Sequence, residues 1–416
     1  MKGPTFCIVG AGLAGGRAAS ALRERGFGGR LVLLGDEAEP PYERPPLSKA
    51  YLAGELARDK LWLRPAAAYR ELAIEWRPQT TVSAVDLKAR RLRLTEGSAI
   101  TFDRLLLATG SRPRALEIPG SQLAGVSTYR TLADADALDR ELGRDPRVLV
   151  VGGGFLGTEL AAVARRRGCR VSLVELGEAL LAPLGALAGA HCERLHRQAG
   201  VELHLGVTVR SFLGGARLEA AELSDGRSLP CDLALVCVGA TPNSELAGEA
   251  GLAIDPGVVV DERGRSSDPA VHAAGDVASW WSPLEGRRIR VEHYDNAHQQ
   301  GVFAAGAMLG DSAAYEPVPY FWTEQYESLV QEVGFCAGEG RAVLRGDPES
   351  RSFAVFHLGQ GRLLGCVAVN RFPDLAAARR LIASRAPVTA ELLGDAGLDL
   401  RAWSRAAAEA AGAPAD

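Results

Sequence analysis

Apolar positions in this chain come in short runs, and the residues that follow each run carry the information. Thr5 to Val9 (TFCIV) has the pattern of a short buried strand, and Gly10-Ala-Gly12-Leu-Ala14-Gly15 follows it directly. A helix-spaced run from Arg17 to Arg25 comes next, then a second strand pattern, Leu31 to Leu34, which leads to Asp36, 26 residues after Gly10. This predicts a βαβ unit opening on G-x-G-x-x-G, with an acid near the end of its second strand. The pattern recurs. Arg147 to Val151 reads as a strand, Gly152-Gly-Gly154-Phe155-Leu156-Gly157 as a second fingerprint, and Thr158 to Arg167 as a helix. The strand from Arg170 to Val174 then ends at Glu175, 23 residues after Gly152.

Two further segments resemble each other. Leu105 to Ala108 ends on Thr109-Gly110, and Asp232 to Gly239 (DLALVCVG) ends on a glycine with Pro242 close by. Each reads as the closing strand of one nucleotide domain. A later strand pattern, Asp268 to Ala278, ends on Gly275-Asp276 and is assigned to the first domain, because the second already has its closing strand. From about Tyr315 the texture changes to alternating runs (SLVQEVGF, SFAVFHLG, LLGCVAVN) followed by helical ones, which predicts a third, α+β domain. The expected fold is thus α/β: two Rossmann-like dinucleotide-binding domains plus a C-terminal α+β domain. The expected boundaries are 1–113 with 246–316, 114–245, and 317–416.

A chain of 416 residues suits two or three domains, and 47% hydrophobic with 24% charged residues is ordinary globular composition. A net charge of −4 is too mild to imply nucleic acid or a membrane surface as partner, and neither is expected. No apolar run reaches the length of a membrane span, and the first residues lack the pattern of a signal peptide. Seven cysteines without C-x-x-C or C-x₄-C spacing read as free thiols of a reducing cytoplasm, with no metal site or iron–sulfur cluster expected. The abundance of Ala, Gly and Arg is taken as compositional bias.

The two fingerprints share one mechanism. Glycines permit the tight strand-to-helix turn and let backbone N–H groups reach a pyrophosphate, which the helix N-terminus favours electrostatically. Asp36 and Glu175 can each accept from a ribose diol. Neither is followed closely by arginine, and Glu178 adds a second acid near Glu175, so the second site should prefer NADH to NADPH. Two such folds in one chain suggest FAD beside a nicotinamide, because a flavin converts a two-electron hydride donor into a source of single electrons.

One stretch poses a separate question. Residues 41 to 49 read PYERPPLSK, with three prolines and two cations in a segment that cannot be a helix interior or a central strand. Together with the Gly10 fingerprint, Leu-Ala-Thr109-Gly110, the Gly152 fingerprint, Ala-Ala-Gly275-Asp276, EHYDNA (Glu292 to Ala297) and Phe321-Trp322, in that order, it resembles the FAD-dependent ferredoxin and rubredoxin reductases that serve bacterial cytochrome P450s and Rieske oxygenases. The flavoprotein apoptosis-inducing factor shares that fold. The resemblance covers essentially the whole chain.

It implies roles. Gly10, Gly12, Ala14 and Gly15 would line the FAD pyrophosphate, Asp36 the adenosine ribose, and Val82 the adenine through its backbone. Arg44 and Lys49 would sit at the pyrophosphate and isoalloxazine. Thr109, Gly110, Arg130, Asp276, Glu292 and His293 would complete the FAD site, with Asp276 on ribitol. Tyr294 would bring a helix N-terminus to the flavin, and Trp322 would stand beside the isoalloxazine. NADH would take Gly152, Gly154, Phe155, Leu156, Gly157, Glu159, Glu175 and Gly239. Lys49 and Glu159 would form an ion pair acting in hydride transfer; the plain alternative is that Glu159 complements its helix dipole. His293 departs from the small or polar residue expected there, and tuning the flavin or filling space both stay open. EGRRIR (Glu285 to Arg290) could receive an acidic ferredoxin or be a solvated hairpin. The remaining histidines show no ligand spacing and read as incidental.

The activity so implied is NADH to FAD to a small iron–sulfur protein, a [2Fe–2S] ferredoxin or alternatively a rubredoxin, by a monomer or homodimer. Disulfide and peroxide reductases of the same fold group need a redox cysteine beside the flavin. Asp36 to Leu61 contains none, and the second domain has no C-x-x-C. An NADH-sensing flavoprotein like apoptosis-inducing factor is the remaining alternative.

Overall fold

The computed structural model describes residues 3–336 and 340–412. Its contacts divide the chain into two compact units. The first comprises residues up to Pro45, Ala57–Arg112 and Ala240–Pro317; the second comprises Pro46–Leu56, Pro113–Gly239 and Val318 onward.

The first unit is built on a five-stranded parallel sheet in the order Val271–Ala273, Arg104–Leu107, Thr5–Val9, Arg30–Leu34, Ile74–Arg77. Its central strands are continuous apolar runs, because in a parallel sheet both faces are covered. Ile8, Leu33 and Leu106 have no exposed surface. The helix after the first fingerprint, Leu13–Glu24, lies in the same core as the helix Tyr294–Leu309. Small residues set how closely these two helices approach. A Cβ added at Gly301 would fall 2.4 Å from the Ala14 carbonyl oxygen. Part of the alanine and glycine content that reads as bias in the sequence is therefore packing.

The second unit repeats the scheme. Its parallel sheet runs Glu202–Leu205, Arg170–Glu175, Arg147–Val151, Leu233–Val236, Val126–Thr128. The helix Phe155–Arg166 follows the second fingerprint. In the same unit an antiparallel sheet of five strands has the order Tyr320–Gln325, Ser328–Gly334, Arg362–Val369, Ser352–Gly359, Arg341–Asp347, and the helix Phe372–Ser384 contacts it. The three alternating runs seen in the sequence are three of these strands; Tyr320–Gln325 and Arg341–Asp347 were not legible as strands.

Both fingerprint helices begin earlier than the pattern predicts, at Leu13 and Phe155 rather than Arg17 and Thr158. The reason is local. The last residues of G-x-G-x-x-G are themselves the first helical turn, where glycine and apolar residues hide the polar–apolar period.

PYERPPLSK also takes a regular form. Pro45–Ser48 is one turn of 3₁₀ helix, closed by the Lys49 N–H donating to the Pro46 carbonyl at 3.0 Å. Pro45 and Pro46 open the turn, where no intrahelical N–H is called for. The segment from Pro46 belongs to the second unit and is fastened there: Tyr129 donates to the Leu47 carbonyl (2.6 Å), Tyr51 to Asp136 (2.6 Å), and Arg167 to the Leu52 carbonyl (2.9 Å).

Candidate functional site

Each unit carries a cradle at the carboxyl end of its central strand, where a doubly wound sheet reverses strand order. In the first, Gly10 has φ +107°, and a Cβ there would lie 2.1 Å from the Ala108 carbonyl oxygen. A Cβ on Gly15 would lie 1.9 Å from the Gly10 carbonyl oxygen, so both glycines are required by the fold itself. Gly12 differs, because its Cβ would meet no atom within 4 Å. Gly12 is the N-cap of the fingerprint helix, with no side chain capping it and no acid in the first turn. Ala14 is buried on the first turn. Open space above uncapped backbone N–H groups fits a dinucleotide pyrophosphate.

The second cradle repeats this geometry. Gly152 has φ +109° and would place a Cβ 2.3 Å from the Cys237 carbonyl oxygen. Gly157 would clash with Gly152 at 2.0 Å, while Gly154, the uncapped N-cap, again has open space. Phe155 and Leu156 are half-buried on the first turn, and the Phe155 ring lies 4.0 Å from that of Phe321, centroid to centroid. Glu175 is fixed at the edge of this cradle: its two carboxylate oxygens accept from the Gly153 and Gly177 N–H groups, each at 2.6 Å. Gly239, φ +103°, ends the closing strand's turn.

Around the first cradle the expected residues are placed as follows. Asp36 lies two residues beyond its strand and is exposed. The neighbouring Glu37, which the sequence reading passed over, is bound by Arg44 (2.6 Å) and Tyr42 (2.5 Å). Burial disfavours the Arg44 charge, but Tyr42, Glu37 and Asp276 outweigh it and raise the arginine's pKa. Val82 starts the strand Val82–Asp86 and is half-buried. Thr109 is tied to the next crossover: its hydroxyl donates to the Asn243 carbonyl (2.7 Å), and Asn243 Nδ2 donates back to the Thr109 carbonyl (2.9 Å). Gly110, φ +67°, makes that turn possible. Asp276 is buried and accepts from the Ser111 hydroxyl at 2.8 Å. Glu292 is exposed and pairs with Arg290 at 2.5 Å. His293 is the N-cap of the helix that Tyr294 begins, and its side chain does not cap that helix. Tyr294 donates to Glu43 at 2.7 Å, and burial, with Glu43, pushes its hydroxyl up to about 12.

Lys49 and Glu159 both belong to the second unit. Lys49 Nζ lies 2.8 Å from Glu159 Oε2, and the two side chains are 12% and 7% exposed. The same carboxylate accepts from the Ser48 hydroxyl (2.5 Å, Oε2) and from the Thr323 hydroxyl (2.6 Å, Oε1). Ser48 and Thr323 were missed by the sequence reading, since a lone serine and threonine carry no spacing signal. Arg130 is half-buried, and its backbone N–H donates to Asp134, part of the capping box that opens the helix Leu132–Leu142. Trp322 stacks on Tyr320 along its own strand, centroids 5.8 Å apart.

EGRRIR is a hairpin: Arg287–Ile289 pairs with Ala278–Ser282. Arg288 donates to the Val260 and Ser279 carbonyls, and Arg290 to the Asp276 carbonyl and to Glu292. All seven cysteines are free. Burial pushes Cys7, Cys192, Cys231 and Cys237 up to about 12, and Cys169, Cys336 and Cys366 also upward.

Comparison with known proteins agrees with this architecture. Residues 4–301 match the family described as pyridine nucleotide-disulphide oxidoreductase, and residues 320–404 match a reductase C-terminal domain. The chain is 40% identical over 401 residues to the ferredoxin–NAD(+) reductase subunit of a benzene 1,2-dioxygenase system from Pseudomonas putida, covering 96% of this chain and 97% of that protein. It is 37% identical over 401 residues to putidaredoxin reductase from Pseudomonas putida, covering 95% of each. Among solved structures, the covalent putidaredoxin reductase–putidaredoxin complex superposes with a TM-score of 0.95 at 37% identity, over 99% of this chain and 100% of that one.

Proposed function

The chain belongs to the pyridine nucleotide-disulphide oxidoreductase family, and from that premise we propose that it is an FAD-dependent NADH:ferredoxin oxidoreductase. It passes electrons from NADH to a small [2Fe–2S] ferredoxin that serves a P450 or Rieske oxygenase. The observation that carries this reading is the pair of dinucleotide cradles in one chain, each with an uncapped helix N-terminus under open space.

Residues 1–113 and 246–316 form the FAD domain in this reading, 114–245 the NADH domain, and 317–416 the C-terminal domain. FAD, when bound, supplies the exchange between a two-electron hydride and single electrons. The chain's own residues bind and orient. Gly12 and Gly154 leave room for the two pyrophosphates. Arg44, held by Glu37 and Tyr42, presents a fixed cation for phosphate. Glu175 keeps lone pairs for the ribose hydroxyls of NADH and repels a 2′-phosphate. Lys49 Nζ, fixed by Glu159, offers a preorganised positive charge where negative charge develops in hydride transfer. The helix beginning at Tyr294 adds its positive dipole end for a reduced, anionic cofactor.

Cysteine plays no part in this reading, because burial raises every thiol and so disfavours the reactive thiolate. The proposed compartment is the cytoplasm; among the described residues no helix is long and apolar enough to cross a membrane.

The test is direct. Purified protein should carry about one yellow FAD per chain, bleach anaerobically with NADH, and reduce a [2Fe–2S] ferredoxin. Colourless protein that cannot be loaded with FAD would sink the scheme. Reduction of rubredoxin alone would move the partner to the alternative carrier. A persistent charge-transfer complex with slow turnover would favour the sensor.

A further inference from the structure

Glu159 is 5% exposed and accepts from three side chains, Lys49, Ser48 and Thr323. The Thr323 contact is the end of a longer chain. Gln325 Nε2 lies 3.0 Å from Thr323 Oγ1 and 2.8 Å from Thr158 Oγ1. Gln325 Oε1 lies 2.9 Å from His196 Nε2, and His196 Nδ1 lies 3.2 Å from the Tyr326 hydroxyl. Thr158, Thr323, Gln325 and His196 have no exposed surface; Tyr326 is half-buried.

The donor and acceptor inventory fixes the direction of this chain. A carboxylate only accepts, so Thr323 must give its hydroxyl proton to Glu159. Thr323 Oγ1 then offers only lone pairs, and the Gln325 NH₂ must face it. The Thr158 hydroxyl points its proton at the Gly154 and Phe155 carbonyls (2.9 and 3.0 Å), so it accepts the second Gln325 N–H. The Gln325 carbonyl is left for His196, which places the imidazole proton on Nε2. Nδ1 then accepts from the Tyr326 hydroxyl. Burial holds the imidazole neutral, its pKa pushed down to about 4 against the Gln325 bond, as a single proton on the ring requires.

We propose that Tyr326, His196, Gln325 and Thr323 form a one-way hydrogen-bond chain that holds Glu159 toward Lys49, making Thr323 and Gln325 positioning residues for hydride transfer. The inference rests on the reading of the Lys49–Glu159 pair given above. Every donor in the chain points at the carboxylate, so each bond polarises the next in the same sense. Thr323 and Gln325 stand two apart on one strand and so share a face, which is why both can serve one cluster. The amide at the centre makes the chain an anchor rather than a proton wire, since Gln325 could pass a proton only through its imidic acid form.

The test uses the FAD-loaded protein and reads flavin reduction by NADH in single turnovers, with His196 observed by ¹⁵N NMR. Thr323→Val and Gln325→Leu should each slow reduction about 10- to 100-fold, as loss of alignment does, with NADH affinity changed less than about twofold. Thr323→Ser should restore the rate to within about threefold, since it keeps the hydroxyl. Gln325→Met, of similar length with no donor for Thr323, should slow reduction although it folds and binds FAD. In a Glu159→Gln background, Thr323→Val should add less than about a twofold further loss, because residues acting through one partner are not additive. His196 should carry its proton on Nε2.

A proton on Nδ1, or a Thr323→Val loss undiminished in the Glu159→Gln background, overturns the proposal. Failure of the underlying reading looks different: Glu159→Gln alone would then reduce at the wild-type rate. In that event the proposal falls with its premise, whatever the tautomer of His196.

Discussion

Lys49 carries the sharpest expectation at the scale of single residues. Its side chain is 12% exposed, and its amine is set by Glu159 at 2.8 Å. Lys49→Met should leave FAD bound and slow flavin reduction by NADH about 100-fold, the order expected when one preorganised charge is removed. Stopped-flow absorbance reads this, and an unchanged rate would return Lys49 to a structural role. Glu332 predicts a pH effect unrelated to chemistry. Burial pushes its carboxyl up to about 7, against a lowering contribution from Cys336, whose backbone N–H donates to it at 3.3 Å. The folded state therefore prefers the protonated acid. That contribution to stability is complete below about 4.3, the unfolded value, and is lost as pH rises through about 7, at most about 4 kcal/mol in all. Glu332→Gln should raise the melting temperature more at pH 8 than at pH 5. Equal shifts by calorimetry at both pH values would refute the assignment.

At the scale of elements, the two fingerprints separate glycines that serve the fold from glycines that serve a ligand. Gly15 and Gly157 face backbone oxygens at 1.9 and 2.0 Å, whereas Gly12 and Gly154 face nothing within 4 Å. Gly154→Ala should fold normally, with a melting temperature within about 2 °C of wild type and a KM for NADH raised about tenfold, close to 1.4 kcal/mol. Gly157→Ala should instead lower stability by about 1–3 kcal/mol, the usual cost of overpacking. Finding the two variants alike would remove the distinction. The sequence pattern reached the existence of both helices but misjudged their starts, because a first turn made of glycine and apolar residues shows no amphipathic period. It also showed three of the five strands in the C-terminal sheet. Tyr320–Gln325 escaped since its inward residues, Thr323 and Gln325, are polar and read as surface, when they are buried by hydrogen bonding to another element.

For the whole molecule, the family's name and the chemistry proposed for this chain part company at sulfur. All seven cysteines are free, and burial raises each thiol. Treating the native, FAD-loaded protein with N-ethylmaleimide should leave NADH:ferredoxin turnover within about twofold, because alkylation needs a thiolate. Loss of activity in proportion to modification of one cysteine would contradict the sulfur-free path.

What the sequence determined by itself was whatever rests on local covalent geometry: two strand–glycine–helix–strand–acid units, the fixed backbone of PYERPPLSK, and the absence of paired cysteines. These follow from φ, from proline's missing donor and from spacing, none of which needs a folded chain. The tertiary structure decided what depends on residues far apart in sequence. It fastened Pro46–Leu56 to the second unit and put Ser48 and Thr323 on Glu159 across 111 and 164 residues. A lone hydroxyl has no period and no motif. Its role arises only when folding buries a carboxylate that must be given donors.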